Sequence, residues 1–217
     1  MSESEIIEAE VVDATALTPH PSPTPAQGRG ELALAVVPTP RCGGLNVRPA
    51  TVDDLPFVDA LQKMHGHMVG FLFTSALEKH IKAGRCLIAE ELAANGSGAA
   101  IQIGYVIAAY EYRKRDEVGI VYQLNVQPIR HRHLVGSTLI KSVFERAPYG
   151  CRLFSCWCAQ DIQANWFWES IGFVPLAFRT GSRTKQRIHI FWQRRVRDND
   201  DSTPYWFPAK TDGGGVN

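Results

Sequence analysis

Hydrophobic positions between residues 46 and 197 follow two periods, one typical of helices and the other typical of strands. Apolar residues such as Leu55, Val58 and Leu61 recur at helical spacing directly after a polar cap at Thr51–Asp54. Helices are predicted over 55–64, 75–82, 137–147 and 162–171, the last with Asp161 as its cap. Continuous or alternating apolar runs predict strands over 46–49, 85–90, 99–110, 119–127, 151–158, 174–178 and 187–196.

The order of these elements limits the fold class. One strand and two helices come first, and three strands, a helix, a strand, a helix and two final strands follow. Polar turns such as Asn95–Gly98 join neighbouring strands without a helix between them, which excludes a doubly wound parallel sheet. The pattern therefore predicts an α+β domain with a mixed sheet.

The composition changes at both ends of the chain. Residues 1–45 hold six of the 13 prolines, and they carry six acidic residues against two basic ones. Because proline at every second position from Pro19 to Pro25 disfavours helix and sheet, we expect 1–45 to be a disordered, acidic tail. The polar stretch 198–217 ends in glycines and is expected to be flexible. One folded domain is thus predicted over 46–197.

The composition of the whole chain excludes several classes of protein. Of the 217 residues, 45% are hydrophobic, and no apolar stretch reaches the roughly 18 residues that a membrane span needs. The acidic N-terminus is unlike a signal peptide. Five cysteines without a C-x-x-C pair indicate neither a disulfide framework nor a zinc ribbon. We expect a cytoplasmic protein, a monomer or a homodimer, that has no membrane partner.

Two local motifs point to a chemistry. The first is Leu124-Asn-Val-Gln-Pro128 at the end of a predicted strand, and the basic loop Arg130–His133 and Gly136 follow it. The second, Ala164–Phe173, reads A-N-W-F-W-E-S-I-G-F. Placed at this distance from each other, the two motifs resemble the GNAT superfamily of acyl-CoA-dependent N-acetyltransferases. The resemblance covers about residues 46–195 and implies a mostly antiparallel central sheet flanked by helices.

The first motif has a physical rationale. A helix that starts soon after a strand points free N–H groups and its positive dipole end at the preceding loop, where they bind phosphate. The resemblance implies that acetyl-CoA is the co-substrate and that its pantetheine arm lies between strands 119–127 and 151–158. His131 stands where the family has a loop arginine or glutamine, and Leu134 where it has the middle glycine. The residues expected to bind acetyl-CoA are Leu124, Asn125, Val126, His131, Arg132, His133, Leu134, Val135, Gly136, Ser137, Thr138, Asn165 and Trp168.

The catalytic acid and base remain open at this point. Many members of the family carry a tyrosine on the later helix as the general acid, but the aligned residue here is Trp168, whose indole has no acidic proton. Trp168 is therefore expected to pack or stack. The candidate catalytic acids on neighbouring strands are Tyr122, Ser155 and Cys156. The candidate bases are His65, His67, Glu90 and Glu111.

The acceptor side is indicated by histidines and by a basic turn. His65 and His67 follow the first helix and are assigned to substrate binding, because two histidines without a third ligand do not make a metal site. The resemblance places the hairpin 174–196 at the acceptor entrance. Its turn contains Arg183 and Lys185, assigned to the substrate, and positive charge favours an anionic acceptor such as a nucleotide, an acidic peptide or another small molecule.

Two other functions stay open. Residues 179–197 hold seven basic and no acidic residues with aromatic residues between them, which also fits a nucleic-acid-associated or base-modifying protein on the same scaffold. A non-catalytic binding module is the third possibility, because Leu134 and Trp168 depart from the family pattern. The leading prediction is an N-acetyltransferase that transfers the acetyl group by direct attack in a ternary complex.

Overall fold

A computed structural model describes residues 44–92, 100–181, 187–197 and 200–208. The helices are α1 (Leu55–Met64), α2 (Thr74–Lys82), α3 (Val135–Glu145) and α4 (Ala164–Ser170), and single 3-10 turns lie at Val52–Asp54 and Pro128–Arg130. The strands are β1 (Asn46–Pro49), β2 (Cys86–Leu92), β3 (Ala100–Ala109), β4 (Val118–Val126), β5 (Leu153–Ala159), β6 (Val174–Thr180) and β7 (Ile188–Arg195).

The predicted order of strands and helices is confirmed. One predicted cap is wrong: α4 begins after Gln163, and the carboxylate of Asp161 instead accepts a hydrogen bond from Arg187 at 2.7 Å. The short 3-10 turn before α3 was not predicted. The expected turn at 95–98 and residues 1–43 of the expected tail over 1–45 lie outside the described residues.

The seven strands form one sheet in the order β1-β2-β3-β4-β5-β7-β6. Neighbouring strands are antiparallel except for β4 and β5, which are parallel. This mixed, mostly antiparallel sheet with helices on both faces confirms the predicted α+β class. The parallel pair lies in the middle of the sheet, where the α3 connection crosses from one strand to the next.

Helices cover the two faces of the sheet with separate hydrophobic cores. On one face, Val58 and Leu61 of α1 and Leu77 of α2 pack against Ile88 and Ile107. On the other face, α3 and α4 cover a larger core, whose fully buried members include Leu139, Val143, Phe154 and Cys156. The amphipathic spacing read in the sequence thus becomes two layers of helix on a central sheet. None of the described helices is long and apolar enough to cross a membrane.

Part of the expected C-terminal tail is packed on the sheet. The backbone N–H of Trp206 donates to the side-chain oxygen of Gln193 at 2.8 Å, and the Trp206 ring meets Phe191 edge-on at 5.8 Å. Arg195 also donates to the carbonyl of Thr203 at 2.9 Å. The expectation of a flexible segment from residue 198 is therefore wrong for 200–208, which covers the β5–β7 side of the α1–α2 face.

Candidate active site

Strands β4 and β5 part in the middle of the sheet. Their parallel pairing runs from Val118–Leu153 to Val121–Cys156, and among the described residues no further β4–β5 pair follows. The register between β3 and β4 shifts at the same place, so that Tyr122 is an extra residue in β4. Such a bulge bends and twists its strand. The two strands therefore diverge beyond Val121 and leave a wedge that opens towards their C-terminal ends.

The wedge gives β4 a free edge within the sheet. Residues 123–126 of β4 still pair with β3, whereas their other edge has lost the ladder to β5. Backbone N–H and C=O groups on such an edge can pair with an extended ligand as if it were a strand. This is the divergence that the resemblance implies for the strands 119–127 and 151–158.

The N-terminus of α3 lies beyond the wedge and is uncapped. Leu134, the residue before the helix, has a left-handed backbone with φ +62° and offers no side-chain cap. In the described part of the chain, no hydrogen bond uses the amides of Val135, Gly136 or Ser137. The hydroxyl groups of Ser137 and Thr138 turn inward and donate to the Leu134 carbonyl at 2.9 and 2.8 Å. Three N–H donors and the helix dipole are thus available to an anion.

Not every predicted cation of the loop faces this helix end. Arg130 forms an ion pair with Glu91 of β2, and the imidazole of His131 donates through Nε2 to the Val126 carbonyl at 3.0 Å. Arg132 is exposed with φ +62°, and His133 is half-buried beside it. Arg132 is therefore the loop side chain best placed to add positive charge to the uncapped helix end.

Gly136 allows α4 to approach α3 closely. A Cβ atom at this position would lie 3.2 Å from the ring of Phe167 and 3.8 Å from the side chain of Leu124. The position without a side chain therefore lies where Leu124 of β4 and Phe167 of α4 meet the first turn of α3. Any side chain at Gly136 would press on the Phe167 ring.

The second motif supports the wedge from the α4 side. Trp168 is 6% exposed and packs edge-on against Phe167 and Phe173 at centroid distances of 5.1 Å, which is the packing role expected for it. Asn165 was expected to bind pantetheine, but its amide N–H₂ donates to the carbonyls of Ala159 and Ile162 at 2.8 and 2.9 Å. Its oxygen accepts from the indole of Trp192 at 2.9 Å. Asn165 therefore holds the β5–α4 loop, and that prediction needs correction.

The three candidate acids occupy different environments. Ser155 is fully buried under the 200–208 segment, where its hydroxyl accepts from Gln193 at 2.9 Å. Cys156 is buried in the core of the α3–α4 face, and burial raises its thiol pKa well above the ordinary value. Tyr122 lies at the bulge, is 43% exposed, and has a phenol pKa raised by burial. Of the three, Tyr122 alone presents its side chain at the point where the strands part.

A buried polar network holds the loop after α1 over this region. Gln62 of α1 accepts from the backbone N–H of Leu72 at 3.1 Å and donates to the Leu72 carbonyl at 2.7 Å. Gln123 of β4 donates to Gln62 at 3.1 Å and also to the carbonyl of Gly70. Because Gln123 follows the bulge, the loop 70–72 is tied directly to the strand that forms the wedge. Sequence patterns did not reveal this network, since each member reads as an isolated polar residue.

The structure describes two of the four residues that were assigned to the acceptor, His65 and His67. A groove of about 500 Å³ is lined by His67, Asp161, Ile162 and Arg187, and the Arg187 guanidinium bridges Asp161 and the carbonyl of His67 at 3.1 Å. His65 is buried instead and its Nε2 lies 3.2 Å from the Val126 carbonyl. Arg183 and Lys185 lie outside the described residues. No group of three or more His, Cys, Asp or Glu side chains within the described ranges could hold a metal ion.

One feature of the acceptor side was missed in the sequence. The guanidinium of Arg179 on β6 stacks on the indole of Trp157 on β5, with its carbon 4.0 Å from the ring centroid. The Trp157 N–H donates to the hydroxyl of Tyr112 at 3.3 Å. The described residues place no carboxylate within ion-pair distance of Arg179. Trp157 is the first β5 residue after the strands part, so this stacked cation stands beside the wedge.

The described basic residues of the last two strands do not form a single surface. Arg187 is paired with Asp161, Arg194 donates to the carbonyl of Ile171, and Arg195 pairs with Asp201 at 3.6 Å. These cations point to different neighbours around the sheet. The geometry therefore does not favour a continuous nucleic-acid-binding stripe.

Comparison with known proteins identifies the fold. No family model and no curated protein sequence matches this chain. Ard1 from Thermoplasma volcanium superposes with a TM-score of 0.59 at 13% identity, over 71% of this chain and 99% of that one. The ribosomal-protein-S18-alanine N-acetyltransferase from Escherichia coli gives 0.54 at 12% identity over 74% and 99%. The acetyltransferase YncA from Salmonella typhimurium, solved with acetyl-CoA, gives 0.57 at 15% identity over 77% and 99%. The chain thus has the fold of the GNAT acetyltransferases.

Proposed function

We propose that this protein is an N-acetyltransferase that transfers the acetyl group of acetyl-CoA to an amine within a ternary complex. The observation that carries the proposal is the wedge between β4 and β5, which begins at the bulge of Tyr122 and leads to the uncapped N-terminus of α3. A free strand edge and an anion-binding helix end, in line with each other, match an extended ligand with a charged end.

The residues of the wedge fit such a donor. The amides of Val135, Gly136 and Ser137 would hold the pyrophosphate, with Arg132 adding positive charge. The backbone groups of Leu124 and the N–H of Val126 on the open edge of β4 would pair with the amides of the pantetheine arm, since the Val126 carbonyl already accepts from His65 and His131. Acetyl-CoA, when bound, supplies a thioester carbonyl as the electrophile. A β4 backbone N–H at the bulge would polarise that carbonyl as an oxyanion donor.

Tyr122 is assigned the role of general acid. Its backbone lies at the apex of the wedge, its side chain is 43% exposed, and burial raises the pKa of the phenol, which stays protonated at neutral pH. From there it can give a proton to the departing thiolate. This help is modest in energetic terms, because a free thiol has a pKa of about 8.5 and its thiolate is a tolerable leaving group near neutrality.

The acceptor is proposed to carry a carboxylate or a phosphate near its amine. Arg179, stacked on Trp157 beside the wedge, supplies a positive charge without a described carboxylate partner. Stacking fixes the plane of the guanidinium, whose N–H edges remain available for bidentate binding of an oxyanion. The groove at His67 and Arg187 extends this acceptor side towards the C-terminal ends of β4 and β5.

An acceptor screen tests this function. The purified protein is incubated with acetyl-CoA and amines of matched size that carry a carboxylate, a phosphate, no charge or an extra amine. Release of the CoA thiol and the mass of the product report acetyl transfer. The proposal predicts turnover that is highest with the anionic amines. Absence of transfer to every amine class, in protein that binds acetyl-CoA, would leave a binding module as the function.

A further inference from the structure

His80 on α2 is a titratable group that the site described above leaves unused. Its imidazole packs against the ring of Tyr122 with centroids 5.2 Å apart and planes tilted by 45°. The Nδ1 atom is buried and has no hydrogen-bond partner, and within the described residues no hydrogen bond uses the ring at all. A buried polar atom without a partner is destabilising, so its presence calls for an explanation.

The surroundings of His80 keep it neutral. Burial lowers the pKa of the imidazole, and the positive charges of Arg85 and Lys79 lower it further. Arg85 follows α2 in the chain, Lys79 precedes His80 on the helix, and Tyr122 faces the ring from β4. The negative charge of Glu111, in the β3–β4 connection, helps to raise the pKa of Tyr122. A neutral imidazole at pH 7 has a free lone pair and can accept a proton.

We propose that His80 is the general base that removes a proton from the acceptor's ammonium group, a role that rests on the proposed acetyltransferase function. It stands beside Tyr122, the bulged residue at the apex of the wedge, on the face of the sheet that α1 and α2 cover. Its buried Nδ1 has no partner in the described part of the fold, and its other nitrogen, Nε2, is not sealed in this way and is the atom that would meet the acceptor nitrogen or a water between them. The sequence pattern indicated His65 and His67 as candidate bases and gave no signal for His80.

The protons balance in two transfers. His80 takes the first proton from the ammonium and later releases it to solvent, which leaves the amine lone pair free to form the N–C bond. As the C–S bond breaks, Tyr122 gives its hydroxyl proton to the sulfur and recovers one from the nitrogen of the tetrahedral intermediate. The products are an amide, the free CoA thiol and one proton in solution.

The test compares His80→Gln with the parent on two carboxylate-bearing amines of the same shape. One amine has a conjugate acid with a pKa above 8, and the other has one below 7 and is already neutral in the assay. General-base catalysis is worth about 10²–10⁴-fold, so we expect kcat for the basic amine to fall by at least about 100-fold. The loss with the neutral amine should be under about tenfold, because that amine needs no base.

The controls separate this role from structural effects. Calorimetry with acetyl-CoA should give the same affinity for parent and His80→Gln, and Lys82→Gln, an exposed change on the same helix, should leave both rates unaltered. Equal losses for the two amines, or no loss for either, would overturn the assignment of His80 while leaving the acetyltransferase intact. A parent without transfer to any amine would remove the proposed function and this assignment together.

Discussion

His65 and His131 stack with ring centroids 5.8 Å apart, and both direct Nε2 at the carbonyl oxygen of Val126. Since a carbonyl can only accept, both rings carry their hydrogen on Nε2 in this arrangement. His65 belongs to the end of α1, His131 to the loop before α3, and Val126 ends β4. The pair therefore joins the acceptor-side helix to the loop that we assign to the donor phosphates.

The first prediction concerns the pH dependence of stability. Burial lowers the pKa of His65, and the charges of His131 and His67 lower it further. As pH falls below about 6.5, the unfolded chain binds a proton that the folded protein resists. Stability should therefore decrease from pH 6.5 down to the lowered pKa of His65. Urea unfolding between pH 8 and 5 measures this slope.

His65→Gln keeps an N–H donor for Val126 and has no titrating ring, so it should reduce the loss of stability at acid pH. It should not abolish the loss, because burial also lowers the pKa of His80 and His189. An unchanged slope in His65→Gln would show that the buried ring does not resist protonation.

A second prediction concerns the left-handed residue before α3. Leu134 has φ +62°, a conformation that costs an L-residue with a Cβ roughly 1 kcal/mol and costs glycine almost nothing. Leu134→Gly should therefore be stabilising or neutral despite the lost side chain, and it should bind acetyl-CoA at least as tightly. Leu134→Ala keeps the strain and serves as the matched control. A glycine variant that is less stable than the alanine variant would contradict strain at this position.

Trp168 provides a third prediction. Because it is buried between Phe167 and Phe173, Trp168→Ala should lose about 3–5 kcal/mol of unfolding free energy. Trp168→Tyr should lose less and should keep or raise kcat, since a tyrosine there adds an acid. Chemical denaturation and turnover together check this. A stable Trp168→Ala protein with selectively lost turnover would instead assign Trp168 a direct role.

The fourth prediction concerns recognition of the acceptor by Arg179. Arg179→Gln removes the stacked charge, so KM for an anionic acceptor should rise about tenfold or more, which corresponds to about 1.4 kcal/mol. KM for acetyl-CoA should stay the same, and the dependence of acceptor KM on salt should weaken. Lys141→Gln on α3 removes one exposed charge on the opposite face and is the control. Equal effects of both substitutions would mean that Arg179 acts through net charge alone.

Much of the fold could be predicted because local patterns agree with it. Helical spacing around Val58 and Leu139, and apolar strands closed by glycine turns, follow directly from what each face buries. The 200–208 segment could not be predicted in this way. Its packing depends on contacts of Trp206 with Gln193 and Phe191 of β7. No local hydrophobic pattern in the sequence indicates these contacts.

The parts of the candidate site that backbone groups form could be predicted from the sequence. The roles of individual side chains could not. The wedge and the uncapped helix lie where the two motifs place them. The roles of single residues could not be predicted, because the sequence does not show which face of the sheet a given strand residue occupies or what packs against it. Ser155 and Tyr122 are an example, since Ser155 is sealed beneath Gln193 whereas the bulge turns Tyr122 towards His80. Asn165 was likewise assigned to acetyl-CoA binding, although four hydrogen bonds hold it to the β5–α4 loop and to Trp192.

Binding of acetyl-CoA to the wedge is the central claim, and calorimetry on the parent, Gly136→Glu and Gly150→Glu tests it most directly. Both substitutions add the same charge, but the side chain at Gly136 stands in the uncapped first turn of α3 next to Phe167, whereas Gly150 has no atom within 4 Å of its Cβ position. The account predicts binding by the parent and by Gly150→Glu, with about 2.7 kcal/mol of added stability at 100 times Kd. Gly136→Glu should remain folded and lose that binding. No binding by the parent at millimolar acetyl-CoA, or equal binding by the two glutamate variants, would contradict the account.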